Sequence, residues 1–75
     1  MAKIIFTGWE VGMRGIPFIE LLREKTNISL TLAKDIKEGI VNNEIIDLTV
    51  ASDLIASEIV TEARKNGVIC EIVIK

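Results

Sequence analysis

Two stretches of alternating apolar and polar residues, 44–50 and 68–74, bracket a single stretch of helical periodicity, and no other feature limits the chain as much. In the first, Ile46, Leu48 and Val50 fall on one side and Ile45, Asp47 and Thr49 on the other, which predicts a strand. In the second, Val68, Cys70, Ile72 and Ile74 form a wholly apolar phase, which predicts another. Between them Ser52 is placed to cap a helix. Asp53 lies in its first turn, Ile55, Ile59, Val60 and Ala63 form its buried stripe, and Arg64 and Lys65 lie near its C-terminal end. Gly67 stops it as a left-handed residue. A strand, a crossover helix and a strand connect right-handedly, so these two strands are expected to be parallel.

The first half supplies the remaining elements. The β-branched and aromatic run Lys3-Ile4-Ile5-Phe6-Thr7, closed by Gly8, predicts a first strand. Pro17 suits a first helical turn, and Phe18, Ile19, Leu21 and Leu22 share a face of a helix that ends near Thr26-Asn27. Ser29 is placed to cap a second helix with Leu30, Ala33, Ile36 and Ile40 inward, ended by Asn42-Asn43. The order is βααβαβ. The first strand fits between the other two, antiparallel to both, which predicts an α+β two-layer sandwich with sheet order 2-1-3 and three helices on one face. Seventy-five residues allow one domain, 1–75, stable only if nearly every apolar side chain joins one core.

Ile19, Leu22, Arg23, Thr26, Leu30, Ala33-Lys34-Asp35, Val50, Glu62-Ala63 and Gly67 carry a family resemblance, sharpest over residues 22–30 and 33–35. The chain resembles the C-terminal domain of the bacterial ribosomal stalk protein nearly end to end. The resemblance implies the same α+β fold. It also implies recruitment of translational GTPase factors through basic and apolar residues of the first two helices, here Arg23 and Lys34 with Leu22, Ile28 and Leu30. Gly15, Glu20 and Thr31 stand where the family carries lysines, and the reversed charge at Glu20 weakens attraction to an acidic factor. A protease adaptor family shares that fold, but its pocket uses acidic and histidine ligands for an N-terminal amine, and this chain has no histidine.

Composition narrows the function classes. Nine basic against eleven acidic residues create no field to draw in nucleic acid or an anionic membrane, so neither is an expected partner. The apolar runs fall far short of the roughly 20 residues that cross a bilayer. Met1-Ala2-Lys3 leads straight into a strand and Cys70 is the only cysteine, so a cytoplasmic location is expected. Without histidine the commonest general base, the usual triads and most zinc sites are missing. Cys70 lies on an apolar strand phase and reads as packing. Gly8, Gly12 and Gly15 match no phosphate-binding fingerprint and read as a flexible connector, while Asp35, Glu38, Asp53 and Glu58 read as solvated helix faces. No catalytic residue, cofactor or metal is expected.

Two apolar features point to a protein partner instead. Trp9, Val11 and Met13 share a glycine-flanked segment and are interface types; the alternative is that Trp9 folds over the sheet end as a lid. The sheet face away from the helices is expected to carry Ile5, Ile45, Ile69 and Val73, where a monomer is usually polar; the alternative is a scatter of strand formers among Lys3, Thr7, Asp47, Thr49 and Glu71. The expected function is a non-catalytic protein-binding module. Its partner is a translation-factor-like protein, through Leu22, Arg23, Ile28, Leu30 and Lys34, or a nuclease toxin that the chain neutralises as an immunity protein, with Glu10, Glu20 and Glu24 near Trp9. A homodimer through the outer sheet face is the alternative.

Overall fold

A computed structural model describes residues 2–73. The elements follow the predicted order: β1 (Ala2–Trp9), α1 (Gly15–Thr26), α2 (Leu30–Val41), β2 (Ile46–Val50), α3 (Asp53–Lys65) and β3 (Val68–Val73). The three strands form one sheet in the order β2-β1-β3, with β1 antiparallel to both neighbours. The chain is thus an α+β fold. Ile74, assigned above to the last strand, lies outside the described residues.

Local chemistry sets the helix ends. The Ser29 hydroxyl accepts the Leu32 N–H and the Ser52 hydroxyl accepts the Ile55 N–H, each satisfying a donor that the first turn leaves open. At the other ends Asn27 and Gly67 adopt positive φ, and the Asn27 N–H returns to the Arg23 carbonyl.

The core lies between the sheet and the helices. Ile4 and Phe6 of β1 meet Phe18 and Leu22 of α1, Ala33 and Ile40 of α2, and Ile59 and Ala63 of α3, all fully buried. The backbone of α1 approaches α2 and α3 rather than the strands, so α1 fills the cleft between them and reaches the sheet through Phe18. The Phe18 and Phe6 rings pack edge to face with centroids 5.6 Å apart. Cys70 is buried, and loss of solvent pushes its thiol up from near 9 to about 11.

Four boundaries and faces differ from the sequence expectation. β1 runs on through Gly8 to Trp9, because a bulge at Thr7 restores pairing with β3 beyond the position where Gly8 was expected to end it. β2 begins at Ile46 rather than 44, because Asn43 turns left-handed and the Glu44 N–H returns to the Gly39 carbonyl, closing α2. Leu30 is exposed: it is the first residue of α2, one turn before Ala33 enters the core. The stripe of α3 is centred on Ala56, Ile59, Val60 and Ala63, with Ile55 half-buried at its margin.

Candidate protein-binding surface

The bulge decides where Trp9 goes. Ala2, Ile4 and Phe6 point into the helix layer, so uninterrupted alternation would turn Trp9 to the opposite face. Phe6 pairs with Cys70 and Gly8 with Ile69, leaving Thr7 as the extra residue; beyond it the phase is inverted and Trp9 pairs with buried Val68. The indole N–H then donates to the Val41 carbonyl at the end of α2, at 3.2 Å. Trp9 is therefore a partly exposed lid on the sheet end, not a member of a free loop.

The segment after it is not a loose connector. The Glu10 N–H donates to the Gly67 carbonyl at 2.8 Å and the Arg14 N–H to the Asn66 carbonyl at 2.9 Å, fastening both sides of the segment to the α3–β3 turn. Between them the Met13 N–H donates to the Glu10 carbonyl, closing a turn whose Gly12 has φ +94. Val11 stands at the tip, 99% exposed. Met13 is half-buried against the core, so its side chain belongs to the base of the segment.

Trp9 and Met13 meet Ile16, Ile19, Lys37 and Val41 around a groove of about 340 Å³. The Lys37 stem crosses Gly15, where a Cβ would lie 2.8 Å from its Cε, so the absence of a side chain at Gly15 lets the lysine form the groove's rim. Ile16, Ile19, Lys37 and Val41 are not among the partner residues expected from the sequence. A signal was present: Ile16 lies three residues before Ile19, and Ile19, expected on the face of Phe18, Leu21 and Leu22, is only half-buried at that face's margin, so the two form a second, shallower apolar face.

The expected partner residues divide between the two ends of the molecule. Because Val41 reaches Trp9, α2 begins at the far end of the sheet, near Ala2 and Val50, where α1 ends and α3 begins. Ile28, half-buried, and Leu30, exposed, lie there, with Leu32 and Leu54 also exposed. Arg23 and Lys34 are exposed on the same helix pair and make no ion pair among the described residues. α1 spans about 18 Å from one end to the other at 1.5 Å per residue, so Trp9, Val11 and Met13 form one surface and Ile28 and Leu30 another.

The acidic ring expected around Trp9 does not form. Glu20 and Glu24 line a different groove, of about 560 Å³, between α1 and α3, together with Glu58, Glu62 and Lys25. Lys25 donates to Glu58 at 2.7 Å, and that hydrogen bond raises its pKa. The outer sheet face is mixed. Ile5 and Val73 are half-buried, and Ile5 pairs with Asp47 on one side and Glu71 on the other. Lys3 bridges to Asp47 at 3.5 Å across the same face. Ile69 is exposed, as is Ile45, which precedes β2 and lies in the connection from α2. On the free side of β3 the Arg64 guanidinium donates to the Cys70 carbonyl at 3.1 Å and so occupies an edge acceptor.

Among the described residues no three His, Cys, Asp or Glu side chains converge as a metal site, and no helix is long and apolar enough to cross a membrane. No protein-family model, curated protein or solved structure matches the chain.

Proposed function

We propose that the chain is a non-catalytic protein-binding module that acts through the end of the molecule carrying Trp9. One observation carries this reading. Of the eight large apolar side chains exposed among the described residues, three (Trp9, Val11 and Ile16) belong to the groove and the tethered turn beside it, Trp9 and Ile16 lining the groove and Val11 standing at the turn's tip. Folding alone gives no reason for valine at the tip of a turn or isoleucine at the solvent face of a first helical turn. Burying Val11 and Ile16 against a partner contributes roughly 1.5–3 kcal/mol each, from which the cost of association is subtracted.

The other end supports a second reading, in which the chain binds a translation-factor-like partner as the stalk domain does. Leu30 and Leu32 are exposed there, with Arg23 and Lys34 on the neighbouring helical surface. A parallel pull-down separates the two. A partner retained by wild type and Leu30→Ser but lost by Ile16→Ser assigns the Trp9 end. The reverse assigns the α1–α2 end, and a partner indifferent to both substitutions refutes both readings.

A further inference from the structure

We propose that the Trp9 groove receives Val11 of a second copy of this chain, in a two-fold exchange that sets Glu10 of each copy against Lys37 of the other. The inference rests on reading this end as an interface and names its occupant.

The geometry of knob and groove supports it. A groove of about 340 Å³ is at the small end for a binding site and takes one or two side chains, not a helix or strand. Val11 is a single side chain of the matching kind, fully outside the fold and held on a turn that is hydrogen-bonded on both sides to the α3–β3 connection. Little ordering cost remains for such a knob. Trp9 and Met13, which line the groove, flank Val11 two residues away on each side, so knob and groove are neighbours. A two-fold axis passing between them lays each knob over the other copy's groove, the self-complementary pattern of a symmetric dimer.

Charge agrees with shape. Glu10 precedes the knob and has no ion-pair partner among the described residues, while Lys37 forms the groove's rim and bonds only its exposed neighbour Glu38, at 3.2 Å. The two-fold exchange brings these opposite charges together twice. A dimer through the outer sheet face would instead bury the carboxylates on either side of Ile5, Asp47 paired only with Lys3 and Glu71 with no ion pair among the described residues. The contact at the Trp9 end is small, so the dimer is weak and depends on concentration.

Sedimentation velocity over about 10 µM to 1 mM tests the proposal, the range in which a weak small interface shows itself. Wild type is expected to shift from monomer to dimer. Val11→Ser, at a site that touches nothing, is expected to fold normally and to weaken association at least about tenfold. Glu10→Lys and Lys37→Glu place like charges together in their own dimers, so each alone is expected to associate more weakly than wild type. An equimolar mixture of the two restores both attractive pairs and is expected to dimerise better than either. The proposal is overturned by a wild type that stays monomeric throughout, by a dimer indifferent to Val11→Ser, or by a mixture no stronger than its components. A monomeric wild type whose Trp9 end captures a different protein also overturns it, while leaving the protein-binding reading intact.

Discussion

Gly12 and Gly67 both hold positive φ, at +94 and +84, yet alanine is expected to cost the fold much more at one than at the other. At Gly12 an added Cβ meets nothing within 4 Å. The cost there is the left-handed conformation alone, about 1–2 kcal/mol, partly offset by the stiffer unfolded chain. At Gly67 the same Cβ lies 2.9 Å from Met13 Cα and 3.3 Å from Met13 N, both backbone atoms that no rotamer change can move aside. Relief requires lifting the segment from the turn, which stretches the Glu10 to Gly67 and Arg14 to Asn66 hydrogen bonds. At about 0.5–1.5 kcal/mol each, their loss brings Gly67→Ala to about 2–4 kcal/mol. Urea unfolding followed by circular dichroism, with unchanged m-values, measures both variants. Because Met13 lines the groove, Gly67→Ala is also expected to weaken partner binding, whereas Gly12→Ala leaves Met13 in place. Equal destabilisation of the two variants would refute the seating of residues 10–14 on the α3–β3 turn.

Trp9→Phe removes the bond to the Val41 carbonyl, which solvent can replace; a loss of about 0.5–1 kcal/mol in urea unfolding is expected, with most of the lid's packing kept. Ser29→Ala and Ser52→Ala each remove a helix cap and are expected to cost about 1 kcal/mol by thermal or urea unfolding. Cys70 is expected to react with a thiol reagent only as fast as the fold opens, and labelling at the rate of a free thiol would contradict its burial. The folded thiol titrates near 11 and the unfolded one near 9, so between those values the unfolded chain releases a proton that the folded chain keeps. Stability therefore falls as pH rises through that window, by at most about 2–3 kcal/mol from this group. Cys70→Ala is expected to flatten the decline, leaving the part due to Lys25, whose raised pKa gives it the same sign.

The features legible in the sequence are those decided by neighbours in the chain. Ser29 and Ser52 cap because their hydroxyls reach an N–H three residues on, and Gly67 ends α3 because it alone among its neighbours takes positive φ without strain. The strand order followed from one crossover and one vacancy between two strands. What escaped depends on contacts that spacing does not encode. The direction of Trp9 turns on one extra residue at Thr7, visible only when β1 is paired with β3. The groove needs Ile16 and Ile19 of α1 brought beside Val41 of α2, with Gly15 leaving room for Lys37. Glu20 and Glu24 follow Trp9 in sequence, but helical phase carries them to the other side of α1, toward α3.

Photo-crosslinking from two positions tests the central claim most directly. A photoreactive amino acid at position 16, at the Trp9 end, is compared with the same group at position 30, in cells producing each variant. The account predicts a defined protein adduct from position 16, whether with another protein or a second copy, and little from position 30. Adducts from position 30 alone, or from neither, would contradict it.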